Sequence, residues 1–129
     1  MLKKPITYTD YNGQVRTENF YFNLTRSELV EMELTTVGGF VDWIDKIVET
    51  EDRPTLYRLF KEIILKSYGE KSADGKRFEK SEEISIAFSQ TPAFDELIME
   101  FFTDKDAASK FMNAVIPKVD EPAVAPAAN

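Results

Sequence analysis

Apolar positions change their spacing near residue 24, and the change divides this chain. Residues 5 to 24 carry the pattern of a β-hairpin. Tyr8 and Tyr11 precede Asn12-Gly13, a pair that tolerates the positive φ of a tight two-residue turn, and Val15, Phe20, Tyr21 and Phe22 follow it. The alternation is imperfect: Val15 and Thr17 share one parity, Phe20 and Phe22 the other. Either a bulge lies near Glu18-Asn19 or the second strand changes its packing partner. A lone hairpin is marginal in water, so one face is expected to pack on the elements that follow.

From residue 25 the spacing becomes helical, interrupted by punctuation that predicts five or six short amphipathic helices. Thr25-Arg26-Ser27-Glu28 fits a capping box, and Leu29, Met32 and Val30 follow before Gly38-Gly39 breaks the chain. Phe40, Val41, Ile44, Ile47 and Val48 repeat at helical spacing. Asp52 is placed to cap the next helix, with Pro54 in its first turn, where a missing N–H costs nothing. That helix presents Leu56, Leu59, Phe60, Ile63, Ile64 and Tyr68 on one face, and Gly69 suits its C-terminal cap. Residues 70 to 80 read as a polar connector. Ser81 and Thr91-Pro92 are further helix starts, the first before Ile84, Ile86 and Phe88, the second before Phe94, Leu97, Ile98, Phe101 and Phe102. A last helix begins near Asp104, turns Ala107, Ala108, Phe111, Met112 and Val115 inward, and ends at Pro117. Residues 118–129 lack aromatics and periodicity and read as a flexible, disordered tail. The expected fold is therefore mainly α: one globular domain over 1–117, with the hairpin at 5–24 and helices over 25–117.

Composition narrows the function without naming it. The chain has 129 residues, 43% hydrophobic and 30% charged, the balance of a soluble globular domain. Its formal charge is −7, so it lacks the basic track that nucleic-acid binding requires. Cysteine and histidine are both missing, which removes disulfides, thiol nucleophiles, thiolate metal sites and the most versatile acid/base side chain. The start, MLKKPITYT, has no apolar run of signal-peptide type, and no stretch approaches a membrane span.

Carboxylates are the only abundant reactive groups. Asp42 and Asp45, the group Glu79, Glu82 and Glu83, and the pair Asp95-Glu96 each cluster on or before a helix. Paired-acid catalysis needs two acids facing across a cleft. Acids at a helix start are explained more simply by the helix dipole. Residues 70–75, EKSADG, invite comparison with a calcium loop, but the twelfth position is Ser81 rather than a bidentate acid, and Lys71 and Lys76 sit where a cation would. A plain turn is expected, and no catalytic, cofactor or metal residue is assigned.

What remains is an excess of large apolar side chains, with Phe and Tyr numbering fifteen in all on a scaffold of short helices. Most belong in a core. The stripe Phe94, Ile98, Phe101 and Phe102 is wider than one packing face needs, so a groove there could take a partner's amphipathic helix. Trp43, beside Val41 and Ile44, is either an interface anchor or half-buried packing.

Three segments together resemble a known family. They are the Asn12-Gly13 hairpin, NFYFNLTRSELVEMELTTVGG, and ILKSYGEKSADGKRFEKSEEISIAFSQTPAF from Ile64 to Phe94. Over about residues 10–116 the chain is similar to the tail assembly chaperones of long-tailed bacteriophages with non-contractile (siphovirus-type) tails. The resemblance implies a non-enzymatic protein that binds and solubilises the tape-measure protein and helps recruit tail-tube subunits, the latter through a longer product of ribosomal frameshifting. It implies a place in the host cytoplasm and absence from the finished virion. Neither nucleic acid nor membrane is an expected partner, and self-association is left open. The alternative is a tail-completion or connector protein retained in the virion. A metal enzyme built on paired carboxylates and a nucleic-acid-binding regulator are weaker readings.

Overall fold

The computed structural model describes residues 1–50 and 52–117, apart from the side chains at 41, 44, 47, 48 and 50. The expected tail over 118–129 and the Val41, Ile44, Ile47 and Val48 stripe lie outside that description.

Strands β1 (Leu2–Thr9) and β2 (Val15–Phe22) pair antiparallel without interruption from Leu2↔Phe22 to Thr9↔Val15. There is no bulge at Glu18-Asn19. The parity puzzle resolves because the two faces meet different surroundings. Leu2, Lys4, Ile6 and Tyr8 lie opposite Phe22, Phe20, Glu18 and Arg16 on the inner face, while Val15, Thr17 and Asn19 lie on the outer one and are exposed. Toward the turn the inner face turns polar, where Tyr8 donates to Glu18 (2.6 Å) and Arg16 bridges to Asp10. The turn is a three-residue loop rather than two. Asp10 accepts from the Gly13 N–H and donates to the Gln14 carbonyl, and Gly13 takes φ +85°.

Helices α1 (Arg26–Thr35), α2 (Phe40–Thr50) and α3 (Arg53–Ser67) follow. Thr25 and Glu28 form the capping box, and Asp52 caps α3 ahead of Pro54. Gly38 and Gly39, both at positive φ, turn the chain between α1 and α2. The expected helix cap at Gly69 is not one. α3 ends at Tyr68 in extended backbone, and Gly69 belongs to strand β3 (Tyr68–Lys71). Nor are residues 70–80 only a connector. β3 pairs with β2 on one side and with the short β4 (Phe78–Glu79) on the other. The result is a four-stranded antiparallel sheet in the order β1-β2-β3-β4, so "mainly α" understates the β content. Gly69 is needed there for space: a Cβ would lie 2.6 Å from the Phe78 ring and 2.9 Å from the Glu79 carbonyl oxygen.

Helices α4 (Glu82–Ser89), α5 (Pro92–Thr103) and α6 (Lys105–Val115) complete the described residues, capped by Ser81, Thr91 and Asp104. α5 is central, touching β1, α3, α4 and α6, and its Ala93 and Leu97 are wholly buried. The buried residues form one cluster between the inner face of the sheet and the helices. Tyr68 stacks on Phe88 at 4.0 Å, and Phe22 makes edge contacts with Tyr68, Phe88 and Phe111. Aromatic pairs of this kind add about 0.5–1.5 kcal/mol beyond their burial. Among the described residues the most deeply buried hydroxyl, that of Ser67, is satisfied by the carbonyls of Ile63 and Ile64 (2.7 and 3.1 Å).

Candidate functional site

The residues expected to line a groove do not share a surface. Phe94, Ile98 and Phe101 are 7%, 3% and 2% exposed and belong to the core. Phe101 meets Phe111 at 4.7 Å and Phe60 at 6.5 Å, so the width of the α5 stripe is taken up by neighbours on several sides. Phe102 stays half-buried, its ring under the Arg53 guanidinium (4.4 Å) and edge-on to Tyr57 (5.8 Å). Trp43 is half-buried against Phe40, at 5.9 Å.

The polar clusters are equally well explained locally. Glu82, Glu83 and Asp95 sit exposed in first helical turns, where they complement the dipole. Glu79 pairs with Arg77 at 2.9 Å. In the loop between β3 and β4, Asp74 accepts from the Lys76 N–H and the Ser72 hydroxyl, which hold its pKa below the ordinary value. Ser72 in turn accepts from the Arg77 N–H (3.0 Å), and Gly75 takes φ +74°. This is a self-satisfied turn. Among the described residues, no group of three acidic side chains could hold a metal ion.

Two depressions of about 420 and 540 Å³ open on the surface. The first lies between β1, α5 and α6, where Lys4 bridges to Glu100 (3.5 Å). The second lies between α1, α3 and α4 around Lys80. Its ammonium donates to the Asn23 carbonyl (2.6 Å) and to both Glu28 oxygens (2.9 Å each). Burial pushes the Glu28 carboxyl up, but the Thr25 N–H and the Lys80 ammonium outweigh it, and its pKa lies below the usual range. Lys80 thus ties the start of α4 to the capping box of α1, a structural role and not a reactive one.

The feature that needs an explanation is on α1. Its inner face buries Leu29 and Met32, yet Val30 (46%), Leu34 (80%) and, in the turn beyond it, Val37 (99%) stand in solvent. The charge distribution singles out the same region. Residues 27–52 hold eight of the 23 acidic side chains and one of the 16 basic ones, Lys46. Their formal charge equals the −7 of the whole chain, and the remaining residues balance at fifteen of each sign.

A family model described as phage tail assembly chaperone matches residues 1–121. The chain belongs to that family. Neither the curated proteins nor the solved structures gave a match. The match begins nine residues before the segment that carries the resemblance and takes in both hairpins and all six helices of the described residues. In a tail assembly chaperone, surfaces for other polypeptides matter more than reactive clefts. Sequence reasoning missed α1's outer face. The available signal was its lack of a clean period, with apolar residues at Leu29, Val30, Met32 and Leu34 spread around the helix.

Proposed function

We propose that this chaperone binds the tape-measure protein, keeps its apolar helices dispersed until the tail tube surrounds them, and helps bring tube subunits to it. The family match over residues 1–121 carries this reading. An exposed apolar strip beside a concentrated negative charge supports it physically. The strip masks client surface, while the charge keeps the complex from aggregating. Individual contacts can be weak, because many copies along one long client add up through avidity. A longer product of the same gene, made by frameshifting, would carry the tube-recruiting part. The work is done in the host cytoplasm, and the protein leaves before the particle is complete.

Co-expression with the tape-measure protein of the same phage tests the reading. The client is expected in the soluble fraction, in one complex with this chain on size exclusion. A client that stays wholly insoluble, with no complex, rejects it. Mass spectrometry of purified particles separates the chaperone from a structural tail component: peptides of this chain at the stoichiometry of a tail protein would reject the chaperone role. An immunoblot of infected cells against the hairpin is expected to reveal a second, longer product.

A further inference from the structure

We infer that the outer face of α1 and the turn after it, built on Val30, Leu34 and Val37, seats an amphipathic helix of the tape-measure protein whose apolar stripe is bordered by Lys and Arg. This rests on the function proposed above and deepens it by naming the surface and the chemistry of the client segment.

The argument begins with what water tolerates. Single exposed apolar residues are ordinary on any surface. Val30 and Leu34 are four apart and share a face of α1, and Val37, 99% exposed, follows in the turn beyond the helix. Two exposed apolar side chains on one helical face, with a third in the adjoining turn, are the feature that a partner would cover. α1 is then apolar on two sides, inward through Leu29 and Met32 and outward through Val30 and Leu34, the pattern of a helix covered on both faces.

The charges select the occupant. At about 100° per residue, Glu31 and Glu33 fall on opposite sides of the Val30–Leu34 line. Both are exposed, as are Asp42, Asp45 and Glu49 on the adjacent α2. A second copy of this chain would bring like acidic segments together, Glu31, Asp42, Asp45 and Glu49 among their exposed side chains, so self-association through this surface is opposed. A helix with an apolar stripe and basic residues along its borders complements both the exposed apolar side chains and the negative charge of this segment.

The test is capture of tagged tape-measure protein by co-expressed full-length chain. Wild type and Ile86→Glu, a control at another exposed apolar side chain (51%) on α4, are expected to be retained equally. The double variant Leu34→Glu/Val37→Glu is expected to lose at least about tenfold in captured client. Glu31→Lys/Asp45→Lys, at two exposed carboxylates, is expected to weaken capture and flatten its dependence on salt. Circular dichroism checks that each variant is folded, and Leu34→Ser/Val37→Ser replaces the charged pair should that one unfold. Wild-type capture with undiminished capture by the Leu34/Val37 variants overturns the surface assignment and leaves the function standing. No capture by wild type overturns both. A wild-type dimer that the double variant converts to monomer, with capture intact, assigns the strip to self-association and also overturns the inference.

Discussion

Helices α5 and α1 both carry more apolar side chains than one packing face requires, and they use the surplus in opposite ways. α5 lies at the centre, touching β1, α3, α4 and α6, and its wide stripe is consumed by those four neighbours. α1 lies at the margin, packed on α2 and on the core through Leu29 and Met32, and its remaining apolar residues face solvent. The lesson is about position in the fold. A broad stripe on a central helix signals many partners within the chain. Apolar residues scattered around a peripheral helix leave part of that surplus in solvent. Charge sharpens the contrast, since residues 27–52, which span most of α1 and all of α2, carry a formal −7 and the rest of the chain balances.

The strongest way to break this comparison is at Phe101. As an interior ring, 2% exposed and packed on Phe60 and Phe111, its replacement by Ala is expected to cost about 3–5 kcal/mol in urea unfolding. A loss below about 0.5 kcal/mol, the range of ordinary surface substitutions, would mean that α5 does present this residue to solvent. Next in size is Gly69→Ala. The new methyl would meet both the Phe78 ring and the Glu79 carbonyl, so about 1–3 kcal/mol is expected to be lost. Adding Phe78→Ala is expected to recover only part of that loss, because the carbonyl contact at 2.9 Å remains. Full recovery in the double-mutant cycle would show that the ring alone fixes the spacing of β3 and β4.

These two positions also mark where sequence was and was not legible. Thr25, Asp52, Ser81 and Thr91 could be read as helix caps, and the start of the last helix placed near Asp104, because each cap acts on a backbone N–H within three residues. Amphipathic spacing found α3, α5 and α6 for the same local reason. The β3–β4 hairpin was not legible. Its strands are four and two residues long and half charged, so no alternation betrays them, and β3 pairs with β2 alongside. Gly69 looked like a cap because it follows a helix, yet what requires glycine is the Phe78 ring and the Glu79 carbonyl, nine and ten residues later. The α5 residues proposed for binding were chosen on stripe width, a property that cannot separate many internal neighbours from one external one.

Lys80 provides an intermediate test, because it joins the marginal α1 to the central body. Lys80→Met removes the bonds to the Asn23 carbonyl and the Glu28 carboxylate and is expected to cost about 1–2 kcal/mol at neutral pH. The pH dependence gives the more specific readout. Glu28 has a folded-state pKa below its ordinary value of 4.5, so its contribution is present above that value. It is lost as pH falls through the lower, folded-state pKa. Wild type is therefore expected to lose this increment under acid, and Lys80→Met to lose less of it. Parallel acid unfolding curves for the two proteins would show that Lys80 does not set the Glu28 titration.

The smallest expected effect is on stability at Leu34 and Val37, and its smallness is the point. These side chains are 80% and 99% exposed, so Leu34→Ser/Val37→Ser removes almost nothing from the packed interior. The expected change in unfolding free energy is within about 0.5 kcal/mol, with an unchanged denaturant slope. On its own in solution, the variant is also expected to be less prone to precipitate, because two exposed apolar side chains have gone while the surrounding negative charge remains. A loss of about 2 kcal/mol or more would place Leu34 and Val37 against other parts of this chain in solution. The contrast between a consumed stripe on α5 and an open one on α1 would then collapse, since both helices would be spending their surplus on the chain's own core.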